Sequence, residues 1–108
     1  MNVKSKLSVV LLAALCAAPA AHADVQLHRV FSDHMVLQRD MNVNVWGWAN
    51  PGEKVIVQFG GQSLSAVTDD KAKWSVKLAP MKANTTPQNL TVTGKNKIEL
   101  TDILVGDV

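Results

Sequence analysis

The chain has 108 residues, with 11 basic and 9 acidic side chains and a formal net charge of +2. Two basic residues, Lys4 and Lys6, lie in an N-terminal segment that we expect to be removed, and without them 9 basic residues face 9 acidic ones. Such a neutral domain has no electrostatic basis for binding nucleic acid or an anionic membrane surface. Residues 24–108 make a domain that buries only somewhat over 60% of its unfolded surface, which is small for a complete enzyme.

The first 23 residues have the three-part layout of a secretory signal peptide. Two lysines precede an apolar run over residues 7–18, and the small residues Ala21 and Ala23 stand at the −3 and −1 positions of a cleavage site. The run is about 12 residues long, too short to cross a bilayer as a helix. We predict a signal peptide over 1–23, a periplasmic or secreted product and no membrane association after cleavage. The one cysteine, Cys16, lies in this segment, so the rest of the chain forgoes disulfides.

After residue 23 the chain alternates apolar and polar residues with a period of two, which is typical of strands with one buried face. The alternation is clearest over 55–59, 74–78 and 90–93. It predicts an all-β domain over 24–102, a small antiparallel immunoglobulin-like β-sandwich. The predicted strands are 25–31, 35–37, 41–48, 55–59, 63–68, 74–78, 90–93 and 98–105.

Two of the connections between these strands carry distinctive turn chemistry. The pair Gly60-Gly61 predicts a two-residue hairpin, because glycine accepts the positive φ that such turns need. Pro80 and the polar stretch 84–88 predict a loop before the strand at 90–93.

Ser32, Asp33 and His34 are consecutive and have the residue types of a hydrolase triad. In a triad the histidine must hydrogen-bond both partners, so the three side chains converge from separate parts of the chain. Consecutive residues point in different directions, and Ser and Asp in turns more often bond their own backbone. We therefore interpret this stretch as a turn.

Trp46 and Trp48 are two residues apart, so a regular strand places both indoles on one face together with Asn42 and Asn44. Paired aromatic rings beside amides suit a sugar-binding surface. Alternatively, one or both indoles belong to the core, with Gly47 marking a bulge or a close backbone approach. A domain with few aromatic residues favours the core interpretation.

Other polar residues do not form a recognisable site. His28 and His34 do not supply the three or four ligands of a zinc site. Asn84 and Asn89 fit the short N-glycosylation pattern, which has little specificity. We therefore assign no catalytic, cofactor-binding or metal-binding residue to this chain.

Several blocks, in order along the chain, resemble the N-terminal region of bacterial sialate O-acetylesterases, members of the Ser-Gly-Asn-His hydrolase superfamily. The resemblance extends over roughly 27–108. The blocks are Met35-Val36-Leu37-Gln38, Trp46-Gly47-Trp48, Pro51-Gly52-Glu53, the single Trp74 and the terminal Val105-Gly106-Asp107-Val108.

The resemblance implies a secreted enzyme that hydrolyses O-acetyl esters on sialic acid or a related glycan. A serine activated by histidine would attack the acetyl carbonyl, with no metal or organic cofactor. In the family these catalytic residues follow the region matched here, so residues 103–108 are expected to begin a truncated hydrolase domain. That C-terminal domain would be the partner of this fragment, which alone would be inactive.

A second hypothesis belongs to a different functional class. The chain could be a non-enzymatic exported carbohydrate-binding or adhesion module with the same immunoglobulin-like fold, using Trp46 and Trp48 as its sugar platform. The coding sequence after Val108 distinguishes the two hypotheses.

Overall fold

The structure is a computed structural model that describes residues 24–108. The predicted signal peptide over 1–23 lies outside the described residues. All regular secondary structure in the described part consists of β-strands, as the alternation predicts. The eight strands are β1 (Gln26–Leu27), β2 (Val36–Gln38), β3 (Val43–Trp48), β4 (Lys54–Phe59), β5 (Gln62–Val67), β6 (Lys73–Leu78), β7 (Asn84–Thr93) and β8 (Lys97–Gly106).

The strands form two sheets, one of three strands in the order β1-β3-β6 and one of five in the order β2-β8-β7-β4-β5. In the larger sheet the order β8-β7-β4-β5 is the G-F-C-C′ order of variable-type immunoglobulin domains, and β1-β3-β6 matches their A, B and E strands. The predicted immunoglobulin-like β-sandwich is therefore confirmed. One pair departs from the antiparallel prediction, since β2 runs parallel to β8.

The core lies between the two sheets and consists of the apolar residues that the alternation selects. Val55, Val57 and Phe59 of β4 face Trp74, Val76 and Leu78 of β6, and all of them are buried. The remaining buried apolar residues are Val25, Phe31, Leu37, Val45, Ala49, Leu90, Val92, Ile103 and Val105.

Glycine has a conformational role at the β4–β5 hairpin. Phe59 pairs with Gln62, and the two residues between them, Gly60 and Gly61, have φ of 57° and 80°. Two positive φ values in a row are the signature of a type I′ turn, which matches the twist of the flanking strands. The predicted two-residue hairpin is confirmed.

Strand β7 begins earlier than predicted, because the stretch 84–88 is a strand and not a loop. Asn84 pairs with Val105 and Gln88 with Ile103, with register shifts on either side of Gln88. These irregularities accommodate Pro87, which has no N–H to give to a regular ladder. The long β8 supplies a partner at each end of the segment, and this tertiary pairing overrides the turn chemistry.

Strand β8 runs through the apolar stretch 103–105, past residue 102, where the sandwich is predicted to end. Ile103 and Val105 are buried in the sandwich core. Leu104 pairs with Val36, and its N–H donates a hydrogen bond of 3.1 Å to the carbonyl of Met35. The chain bends at Asp102, whose φ is 60°, and this bend lets the run continue in the same sheet.

Strand β1 is shorter than predicted. It contains two residues, and Val30 is exposed after the chain leaves the sheet at the turn that follows. Within residues 24–108 no helix is long and apolar enough to cross a membrane.

Candidate functional site

The outer surface of the three-stranded sheet carries two exposed tryptophans. Trp46 and Trp48 alternate along β3 with the inward-facing Val45 and Gly47, so both indoles point away from the core. Across the ladder Trp46 pairs with Ser75, and Trp48 pairs with Lys73. We call this surface the aromatic face and define it by five side chains, His28, Trp46, Trp48, Lys73 and Ser75.

His28 packs against both indoles of the aromatic face. Its ring centroid lies 5.1 Å from that of Trp46 and 5.5 Å from that of Trp48, with the ring planes tilted by 39° and 32°. Its backbone N–H donates to the carbonyl of Trp46 at 3.0 Å, which extends the β1–β3 pairing by one residue. The buried Phe31 then contacts Trp46 edge-on, with ring centroids 4.9 Å apart.

The imidazole of His28 is oriented by a second contact. Nδ1 of His28 accepts a hydrogen bond of 3.1 Å from the backbone N–H of Val30. In the neutral ring an accepting Nδ1 places the proton on Nε2. No residue within 24–108 accepts a hydrogen bond from that Nε2–H, so it is available to a ligand.

A cleft of about 660 Å³ lies over the aromatic face and extends toward the edge of the other sheet. Ala66 and Val67 of β5 line its far side, and Asp69 and Lys73 lie where β5 turns into β6. The cleft therefore joins an aromatic surface to one carboxylate and one ammonium group.

Asp69 is held in place by the turn that it caps. Its Oδ1 accepts hydrogen bonds of 2.9 Å from the backbone N–H groups of both Lys71 and Lys73. The hydrogen bond from Lys73 is the main cause that lowers the pKa of Asp69 below its ordinary value of 3.8. Asp69 is therefore ionised at neutral pH, and its second oxygen, Oδ2, accepts no hydrogen bond from the described part of the chain.

Beneath the face, Trp74 and Gly47 hold the sheet together. The Trp74 ring is buried and its indole N–H donates to the carbonyl of Trp48 at 3.1 Å. A Cβ at Gly47 would collide with the backbone carbonyl of Gln26 and would lie 2.9 Å from the ring of Trp74. Of the two roles considered for Gly47, the structure shows the close approach of neighbouring backbone, and the β3–β6 register is regular.

The structure decides between the two interpretations of the tryptophan pair. Trp46 is 37% exposed and Trp48 is 36% exposed, so the core interpretation is wrong for both, whereas Trp74 is a core residue. The alternation along β3 indicates that the indoles face outward, since Val43 and Val45 occupy the inward positions. The count of aromatic residues was the weaker signal. Sequence reasoning missed the contribution of Asp69 and of His28 to the same cleft.

The stretch Ser32-Asp33-His34 forms a turn, as predicted. Its hydrogen bonds go to β8 and not to one another: Asp33 Oδ1 accepts from the N–H of Thr101 at 2.8 Å, and His34 Nδ1 lies 2.6 Å from Asp102 Oδ2. Both of these contacts are exposed. They fasten the turn to the bend in β8 and assemble no nucleophile with a base.

The two histidines of residues 24–108 lie in separate environments, His28 against the tryptophans and His34 beside Asp102. Across residues 24–108 no three His, Cys, Asp or Glu side chains gather in a way that could hold a metal ion.

Among solved structures, the chain is similar to part of a carbohydrate acetylesterase from Xanthomonas citri, XAC1771. The match has 34% sequence identity and a TM-score of 0.74, and it covers 78% of this chain and 19% of that one. The chain therefore spans about a fifth of the esterase's length. It is a β-sandwich that resembles a single domain of a larger carbohydrate acetylesterase.

A second similar structure is a titin and obscurin-like 1 immunoglobulin-domain complex. One chain of it matches with 14% identity and a TM-score of 0.45, over 82% of this chain and 96% of that one. No family model matches the sequence, and no curated protein does.

Proposed function

We propose that residues 24–108 form a non-catalytic domain of an exported carbohydrate acetylesterase and serve as a scaffold for its hydrolase domain. The observation that carries the proposal is the match to 19% of XAC1771, in which a sequence identity of 34% accompanies a similar fold. Export is supported by the signal-peptide layout of the first 23 residues.

The substrate class that we propose is O-acetyl groups on sialic acid or on a related glycan. We propose an acetylated carbohydrate because XAC1771 is a carbohydrate acetylesterase. The sialate part rests on the ordered sequence blocks that resemble sialate O-acetylesterases, among them 35–38 and 105–108. A shared fold does not fix the sugar, so the substrate must be tested directly.

The chemistry that we propose for the intact protein is metal-free acyl transfer to water. A serine and a histidine of the hydrolase domain would do this work. In the part of the chain that the structure describes, Ser32 lies beside an aspartate and a histidine in sequence. Asp33 and His34 form their hydrogen bonds with β8, so Ser32 has no histidine paired with it as a base.

Acetate release tests the proposal. We expect this chain alone to release no acetate above background from an aryl acetate, from 9-O-acetyl sialic acid or from acetylated xylan. A protein translated from the same gene past Val108 should release acetate from at least one of the two acetylated carbohydrates. Ser32→Ala in that longer protein should leave the rate unchanged.

Two outcomes contradict the proposal. One is turnover by the chain alone that disappears in Ser32→Ala. The other is a reading frame that continues after Val108 without any hydrolase sequence, which would favour the exported binding module instead.

A further inference from the structure

Three of the large apolar residues that remain exposed lie around one cleft. Trp46 and Trp48 expose 37% and 36% of their surface, and Val67, on the opposite wall, exposes 68%. Burying large apolar side chains stabilises a protein, so the exposure of three such neighbours forgoes stability. Exposed apolar patches with a polar rim mark ligand-binding grooves and interaction sites.

The polar groups around these rings have bonding capacity left over. His28 keeps its Nε2–H and Asp69 keeps its Oδ2. The Lys73 ammonium and the Ser75 hydroxyl make no hydrogen bond or ion pair within residues 24–108. The cleft therefore offers both donors and acceptors beside two indoles. His28 packs against both indoles, and Phe31 packs against that of Trp46.

A pyranose has the complementary distribution of groups. One side of the ring presents C–H bonds, which are attracted to the negative face of an aromatic ring. The rim presents hydroxyl groups that both donate and accept hydrogen bonds. An indole surface bordered by a carboxylate oxygen, an ammonium group and an imidazole N–H meets both requirements at once.

Size and charge narrow the class of sugar. The cleft volume of about 660 Å³ falls within the range of roughly 300–1,000 Å³ typical of ligand sites. Its lining holds one carboxylate, Asp69, and one ammonium, Lys73, whose charges cancel. Because the lining has no net charge, it gives neither an anion nor a cation a net attraction, and it therefore favours an uncharged ligand.

We propose that the aromatic face binds neutral pyranose residues of a glycan chain. Trp46 and Trp48 stack against the sugar, and His28, Asp69 and Lys73 contact its hydroxyl groups. This inference deepens the proposed function, because it gives the non-catalytic domain a ligand of its own, chemically distinct from the acetyl ester that the hydrolase domain would cleave.

The test uses the unmodified chain with xylohexaose and cellohexaose as neutral probes and 3′-sialyllactose as the anionic one. We expect a neutral hexaose to shift the indole N–H resonances of Trp46 and Trp48 in NMR spectra, while the buried Trp74 resonance stays in place. This measurement needs no variant, so it does not depend on whether a substitution folds.

Calorimetric titrations of variants then locate the site. Trp48→Ala should weaken binding of the neutral hexaose by at least about tenfold. Asp69→Asn keeps an oxygen for the turn but replaces Oδ2 with an amide donor, and it should also weaken binding. Lys77→Ala is the matched control, since Lys77 lies on the same sheet face outside the cleft lining and its loss should change affinity by less than about twofold.

Three results would overturn the inference. The first is the absence of any indole shift with about 10 mM neutral hexaose, a concentration that detects even millimolar affinity. The second is tighter binding of sialyllactose than of either hexaose. The third concerns a longer protein that contains a hydrolase domain. If Trp46 and Trp48 are as well protected from acrylamide quenching there as the buried Trp74, the aromatic face is an interdomain contact.

The two proposals can fail separately. Acetate release from an aryl acetate by the longer protein tests the esterase assignment and does not require the aromatic face. Sugar binding by this chain tests the aromatic face and requires no hydrolase domain.

Discussion

The indole Nε1 of Trp74 donates a hydrogen bond of 3.1 Å to the backbone carbonyl of Trp48. One tryptophan is buried in the core and the other is exposed on the opposite side of the same sheet. A buried indole N–H has to be paired, and here its partner is the strand that aims Trp46 and Trp48 outward. The packing of the core and the geometry of the aromatic face therefore depend on one another.

Replacing Trp74 tests that dependence. Trp74→Phe removes the donor and part of the buried ring, and we expect it to lower the free energy of unfolding by about 1–3 kcal/mol. Urea unfolding measures the change. Trp48→Phe, which alters an exposed ring and keeps the accepting carbonyl, should cost much less, and equal losses in the two variants would contradict the role of the bond.

A second prediction concerns the close approach of β1 to β3 at Gly47. Gly47→Ala places a methyl group against the carbonyl of Gln26 and the ring of Trp74, so β1 must move away. Such overpacking costs about 1–3 kcal/mol. Gly106→Ala is the control, because its Cβ would meet only Val36 at 3.7 Å, an ordinary contact. Thermal midpoints that fall equally would show that the space at Gly47 is not limiting.

Local alternation was sufficient to predict most of this fold. In strands β4 and β6 the residues selected by a period of two lie on the core side, because each strand has one buried and one solvent-exposed face. The Gly60-Gly61 hairpin was equally readable, since its φ requirement is local.

Local patterns were insufficient where a distant partner decides the structure. The 84–88 stretch has turn chemistry, yet it is a strand because β8 lies alongside it. The apolar run 103–105 cannot face one core as a straight strand, and it stays in the sandwich because β2 pairs with it and the chain bends at Asp102. Asp69 joins the tryptophans only through the packing of β5 near β6, which no local pattern records.

The face assignment of β6 gives a third prediction. Val76 is 8% exposed and lies between the sheets, whereas the next residue, Lys77, points to solvent. Val76→Asp buries an unpaired carboxylate at a cost of several kcal/mol against a total stability of about 5–15 kcal/mol, so it should unfold the domain. Lys77→Asp should be nearly silent. Far-UV circular dichroism in urea separates the two, and similar midpoints would mean that the two faces have been exchanged.

The last prediction concerns the dependence of stability on pH at Asp69. Two backbone N–H groups bond its carboxylate, and the pKa in the folded state lies below the ordinary value of 3.8. The ionised form is thus favoured by folding, and its contribution to stability is fully present above pH 3.8 and is lost as the pH falls through the folded-state pKa. Asp69→Asn keeps an accepting oxygen but cannot ionise, so its unfolding free energy should lack this acid-dependent loss. We expect the difference in unfolding free energy between the wild-type protein and Asp69→Asn to be constant from neutral pH down to the ordinary pKa and to change only below it.

Urea titrations at a series of pH values provide the measurement, with Asp70→Asn as control because that neighbouring carboxylate accepts no hydrogen bond within residues 24–108. A difference that stays the same through the acid range would show that the turn is capped equally well by a neutral side chain.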